Sequence, residues 1–229
     1  MGDWVQVRGP DGAFKAYFAR PSGTPKGAVV VVQEIFGVNA VMRGKADWLA
    51  REGFLAIAPD LFWRIKPGIE LTDQTDGEWK QALDYMNKLD KNASVKDVQA
   101  TIDFARAQGV SKVGVMGYCM GGYIAFLAAC RTDTDATVSY HGGGIHTALA
   151  EARGIKKPVM LHNPLNDSFI PVEALNTIRE TLKPNPLVIV HEYAGLDHAF
   201  TREGGKHYDR AGTELANGAT LNFFNQNLA

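Results

Sequence analysis

Gly117-Tyr118-Cys119-Met120-Gly121-Gly122 places a thiol between glycines at a spacing suited to chemistry. A β-branched run at 113–116 leads into it, and a helix pattern at 120–131 follows at once. Gly-x-Cys-x-Gly between a strand and a helix reads as a nucleophile elbow with cysteine as the nucleophile. The glycines leave room for a close backbone crossing. The side chain is lifted above the strand ends, and the helix N-terminus beneath it lowers a thiol pKa. The amide of Met120 then points at the oxygen of a carbonyl under attack, as half of an oxyanion hole. A buried cysteine in a Gly-rich turn is the alternative; the strand before and the helix after favour the nucleophile.

A nucleophile at such an elbow needs an acid and a histidine after it in the chain. Two loops follow strand patterns downstream. His162-Asn163-Pro164-Leu165-Asn166-Asp167 offers Asp167 as the acid, with Pro164 and Pro171 restricting its loop. Ala194-Gly195-Leu196-Asp197-His198-Ala199-Phe200 offers His198 as the base. Asp197 is set aside as the acid, because adjacent residues seldom bring a carboxylate against the neighbour's ring. His162 and His191 fall inside strand patterns and read as structural. His141, His146 and His207 are set aside for want of strand-end context.

The second oxyanion donor is expected after an earlier strand, at Gln33-Glu34-Ile35-Phe36-Gly37, with the Ile35 N–H as the candidate. His141-Gly142-Gly143-Gly144 has the composition of an oxyanion loop but follows the nucleophile, so it reads as a turn. Glu34 is an acid at a buried strand end, which is costly unless paired. Two readings stand: a salt-bridged structural carboxylate, or a carboxylate that controls the protonation of Cys119.

The elements that must position these residues are strands alternating with helices. Trp4 to Val7 and Ala13 to Ala19 flank Pro10-Asp11-Gly12 as a hairpin. Apolar β-branched runs at 28–32, 54–58, 113–116, 136–140, 159–162 and 187–193 suit strands covered on both faces. Helix-period segments lie at 41–51, 78–88, 95–107, 120–131, 172–182 and 208–227. This alternation predicts a mostly parallel sheet with helices on both faces, in one domain spanning 1–229. The irregular stretch 60–77 is long enough to be an active-site loop.

Composition narrows the function classes. The 229 residues carry Lys+Arg 24 against Asp+Glu 25 and are 45% apolar, which excludes a disordered chain and a partner held by bulk charge. Neither a signal peptide nor a membrane-length apolar run is read, so a cytoplasmic protein with no nucleic-acid or membrane partner is expected. Cys119 and Cys130, eleven residues apart, would lie about 16 Å apart on one helix, too far for a disulfide. Cys130 reads as a small core residue. No dinucleotide, phosphate-loop or zinc spacing is present, so neither cofactor nor metal is expected.

With these residues together, the chain resembles the dienelactone hydrolase family of the α/β-hydrolases over about residues 10–228. The specific parts are Gln33-Glu34-Ile35-Phe36-Gly37, Ala58-Pro59-Asp60-Leu61, the cysteine elbow, the Asp167 loop and His198-x-Phe200-x-Arg202. The resemblance implies an α/β-hydrolase fold and hydrolysis of lactones or esters. It implies a triad of Cys119, Asp167 and His198, a gating role for Glu34, and an oxyanion hole of Ile35 and Met120. Arg202, Trp79, Tyr118 and Phe36 are expected to line the substrate pocket. The family's namesake enzymes hold a substrate carboxylate with two arginines; Arg202 matches one, while Trp79 stands at the other. Leu83 and Met86 stand where those enzymes carry aromatic residues. A more apolar, less anion-selective pocket follows, with Arg64 in the loop as a cation that could compensate. The partner is then a small ester or lactone, and the protein a monomer or weak homodimer. The rival reading is a non-catalytic binding protein on the same scaffold, with Cys119 as a redox-sensitive thiol.

Overall fold

The five residues Ala28–Val32 are completely buried and form β3, the centre of the sheet. Ala28, Val30 and Val32 pack into one core cluster and Val29 and Val31 into another, on opposite faces. This period-2 division is what a strand covered on both sides requires. The structure, a computed structural model, describes residues 2–229.

The other strands are β1 (Asp3–Gly9), β2 (Gly12–Ala19), β4 (Leu55–Pro59), β5 (Val113–Tyr118), β6 (Ala136–Tyr140), β7 (Val159–Pro164) and β8 (Val188–Tyr193). They form one eight-stranded sheet in the order β1-β2-β4-β3-β5-β6-β7-β8. The hairpin β1–β2 is antiparallel and joins β4 antiparallel, while β4, β3, β5, β6, β7 and β8 pair in parallel.

The helices are α1 (Ala40–Arg51), α2 (Asp76–Lys88), α3 (Lys91–Ala107), α4 (Met120–Arg131), α5 (Val172–Leu182) and α6 (Arg210–Leu228). Helices α1 and α6 cover one face of the sheet. Residues of α2, α3, α4 and α5 pack into the other cluster. No helix among the described residues is long and apolar enough to cross a membrane.

Element order and fold class match the sequence reading, and the differences lie at ends that side-chain caps define. Helix α2 starts at Asp76 rather than 78, because Thr75 accepts from the Glu78 amide while the Glu78 carboxylate accepts from Thr75 and Thr72. Helix α3 starts at Lys91 rather than 95, capped by Asp90, and α6 at Arg210 rather than 208, capped by Asp209. Two short 3₁₀ turns, Ile145–Thr147 and Leu149–Gly154, were not anticipated.

The irregular stretch therefore ends at Thr75, and it is stitched down. Asp60 accepts from the amides of Phe62 and Gly68. Gly37 bridges Glu70, Leu71 donates to the Phe36 carbonyl, and Asn39 donates to the Leu71 carbonyl. These bonds tie the loop to the residues that follow β3, so the β3 loop and the 60–75 loop form one wall.

Candidate active site

Strand β5 ends at Tyr118 and α4 begins at Met120, leaving Cys119 alone at the turn with φ 55° and ψ −118°. A non-glycine residue in this region is strained by about 1–3 kcal/mol and persists only where its surroundings hold it. Those surroundings require glycine on both sides. A Cβ on Gly117 would lie 2.0 Å from the Gly121 carbonyl oxygen, and one on Gly121 would lie 2.4 Å from the Val32 and Gln33 oxygens. The Cys119 amide is shared between the Tyr140 carbonyl at 3.0 Å and the His141 ring at 3.1 Å.

Cys119 opens into a cavity of about 260 Å³ with Ile35, Met120, Trp79, Leu83, Met86, Gly143, Phe169, His198 and Arg202. Ile35 follows β3 and Met120 opens α4, and neither main-chain N–H has a partner among the described residues. They are free to donate to a ligand.

His198 lies in the loop after β8 and is almost wholly buried. Its Nδ1 meets Asp167 Oδ2 at 2.8 Å and Oδ1 at 3.1 Å. Asp167, in the loop after β7, also accepts from the amides of Phe169 and Ile170, which hold its carboxylate in place. His198 and Cys119 line the same cavity. Burial pushes the His198 pKa down, but the negative charge of Cys119 and the bond to Asp167 outweigh it and carry it up to about 10. Asp197 is not the acid; it accepts from the amides of Ser168 and His198 and lies 3.3 Å from His207.

Glu34 is salt-bridged. Its oxygens accept from Arg202 Nε at 2.9 Å and Nη2 at 2.8 Å, so both are turned onto the guanidinium. Arg202 Nη1 meets Asp73 at 2.9 Å. Burial opposes the charge on Arg202, yet Glu34 and Asp73 together raise its pKa.

Two of the expected lining residues are placed elsewhere. Tyr118 is only 2% exposed and stacks on Tyr140 at 4.6 Å, because alternation along β5 turns it into the sheet's other face. Phe36 is buried beneath the pocket, edge-on to Trp79 at 5.1 Å and under the Arg202 guanidinium at 4.9 Å, so it supports both. Trp79 does line the cavity, and its indole N–H donates to the Asp73 carbonyl at 3.1 Å. Arg64 does not compensate for it; its guanidinium is held by Asp97 and Asp11.

His141 was missed by the sequence reading. It is fully buried, with φ 39°, and its ring lies 4.6 Å from that of His198. The usable signal was its position one residue beyond β6, at the same sheet end as Cys119, Asp167 and His198. Cys130 sits behind, where burial pushes its thiol up to about 12.

A mostly parallel sheet with a cysteine elbow and a His–Asp pair on later strand-end loops defines an α/β-hydrolase. Residues 14–228 match the model of the Dienelactone hydrolase family. A candidate carboxymethylenebutenolidase of Azospirillum brasilense is 43% identical, with 100% of each chain covered. The carboxymethylenebutenolidase of Pseudomonas putida is 37% identical, covering 97% of this chain and 96% of its own. Among solved structures, a candidate dienelactone hydrolase of Klebsiella pneumoniae superposes with a TM-score of 0.87 at 26% identity, covering 99% of this chain and 98% of that one. The chain belongs to the dienelactone hydrolase family and is a carboxymethylenebutenolidase-like hydrolase.

Proposed function

We propose that Cys119, His198 and Asp167 form a catalytic triad that hydrolyses neutral carboxylic esters or lactones through a thioester. The single observation that carries this reading is the position of His198, bonded to Asp167 through Nδ1 and sharing the catalytic cavity with Cys119. The raised pKa of His198 suits its imidazole to accept the Cys119 proton. Glu34, engaged with Arg202, is not required for that transfer.

The thiolate attacks the carbonyl carbon, and the oxygen takes up the negative charge between the amides of Ile35 and Met120. The C–O bond breaks as His198 gives its proton to the leaving alkoxide. His198, now neutral, takes a proton from water, whose oxygen attacks the thioester; the acid leaves and the thiolate is restored. Asp167 fixes the ring orientation throughout.

The substrate class follows from the cavity walls. Leu83, Met86 and Trp79 are apolar, and the Arg202 guanidinium is already paired. The relatives are named for a lactone that carries a carboxymethylene group; here a neutral lactone or ester of similar size fits better. Hydrolysis of p-nitrophenyl acetate tests the reading. Activity should vanish after thiol alkylation and in folded Cys119→Ala. Undiminished turnover by that variant would remove the thioester route, and a wild type without turnover would favour the binding-protein alternative.

A further inference from the structure

Arg202 is the guanidinium shared by two adjoining cavities. It lines the catalytic cavity and a second, more polar one of about 470 Å³ that includes Asp73, Lys206 and His207. Trp79, Phe169 and His198 line both. An anion entering either cavity would meet this guanidinium, yet the protein's own carboxylates already occupy it. Nε and Nη2 serve Glu34 and Nη1 serves Asp73. One guanidinium faces two carboxylates, so its donors are already taken when an anion arrives.

The two carboxylates differ in how they are held. Glu34 follows a central strand, grips Arg202 with both oxygens and is nearly inaccessible. Asp73 comes from the 60–75 loop, and only Oδ2 reaches Arg202, while Oδ1 takes the Gln74 amide at 2.7 Å. Asp73 and Arg202 are each 9% exposed, so their bond is shielded from water but borders the polar cavity. The Asp73 carbonyl holds the Trp79 indole, and that bond survives a change of the Asp73 side chain.

We propose that Asp73 is a specificity-determining residue: it takes the place on Arg202 Nη1 that a substrate carboxylate would occupy, and so selects neutral acyl groups over anionic ones. An anionic substrate has to displace a shielded, charge-assisted hydrogen bond and add a negative charge beside Glu34. A neutral one does neither. Replacing Asp73 by Asn removes the charge but keeps an oxygen on Nη1; replacing it by Ala frees the position as well. The effect should therefore grow from Asn to Ala.

The substrate form of this inference rests on the ester-hydrolase reading, so the experiment has one arm that needs no turnover. Iodoacetate and iodoacetamide both alkylate a thiolate by displacing iodide, and they differ in charge. Their relative rates at Cys119, read by peptide mass spectrometry, measure anion discrimination directly, with Cys130 as the internal reference. The iodoacetate-to-iodoacetamide ratio should rise about tenfold or more in Asp73→Ala and by an intermediate factor in Asp73→Asn. In the turnover arm, kcat/KM for mono-p-nitrophenyl glutarate relative to p-nitrophenyl valerate should rise in the same order, chiefly through KM. An alkylation ratio unchanged within about twofold in both variants, with Cys130 still protected, overturns the role of Asp73. If the alkylation ratio shifts while the wild type hydrolyses neither ester, the gate stands and the hydrolase reading falls.

Discussion

The main-chain amide of Cys119 donates to Nδ1 of His141 at 3.1 Å, tying the strained elbow to the end of the neighbouring strand. This bond requires an unprotonated Nδ1, so the His141 proton lies on Nε2. Burial first, and the nearby His198 and Arg202 next, push the His141 pKa well below its ordinary value and keep the ring neutral. Its Nε2 has no partner among the described residues. His141→Ala removes the acceptor and sets alanine at a positive φ. The lost hydrogen bond, worth about 0.5–1.5 kcal/mol, should lower kcat/KM by about 2- to 12-fold. His141→Asn keeps an acceptor and tolerates the backbone angle, so it should recover most of the loss. Equal losses in both variants, measured beside their thermal melts, would mean that the imidazole matters for something other than this bond.

His198 should titrate far above an ordinary histidine. In the folded protein it holds its proton up to about 10, against 6.5 for the free side chain. The stabilisation tied to that proton is fully present below about pH 6.5 and is lost as pH rises towards 10. Cys119→Ala removes the negative charge that does most to raise it, so the His198 transition should move down in pH. NMR titration of the imidazole in the two proteins checks the shift. An unmoved transition would mean that Asp167 alone sets the value.

What the sequence made legible follows from which forces are local. The elbow could be read because its glycines, strand and helix are contiguous. Asp167 and His198 could be read because chain order maps onto strand order. His141 follows β6 in a Gly-rich turn, and nothing local announces a ring that reaches back to the Cys119 amide beyond the adjacent strand. The partners of Arg202 lay further off: Glu34 and Asp73 precede it by 168 and 129 residues. Tyr118 was misplaced by proximity to the nucleophile, when alternation along β5 already assigned it to the other face.

The two cysteines should be separable by reagent. Cys130 is half-buried on α4, and with its thiol pushed up to about 12 it has on the order of one thiolate in ten thousand at pH 8. Cys119 opens into the catalytic cavity beside His198. Iodoacetamide at limiting concentration should therefore modify Cys119 first by a wide margin. Peptide mapping that finds Cys130 labelled at a comparable rate would contradict this placement.

Arg202→Ala should destabilise the fold as well as alter the site. It would strand Glu34 and Asp73 in a shielded place, and breaking a buried pair from one side costs about 3–5 kcal/mol. Burial would then push the stranded Asp73 towards its neutral form without Arg202 to oppose it, so the deficit should shrink as pH falls. Urea unfolding of wild type and variant at pH 7.5 and 5 measures this. A deficit independent of pH would show that lost packing over Phe36, not unpaired charge, is the cause.

Phe169 should matter to the substrate more than to the fold. It is 58% exposed, yet its ring stacks on Trp79 at 5.9 Å with planes 15° apart, and it meets His198 edge-on at 4.9 Å. Trp79 and Phe169 line both the apolar cavity and the polar one. An aromatic pair is worth about 0.5–1.5 kcal/mol beyond the area it buries, and an apolar acyl group lying against these rings would lose a similar amount. Phe169→Ala should thus raise KM for an apolar ester by about 2- to 12-fold, with little change in melting temperature or kcat. The split between the two kinetic constants carries the argument. If kcat falls and KM holds, the ring of Phe169 orients His198 for proton transfer, and the acyl wall must be built by Leu83 and Met86 instead.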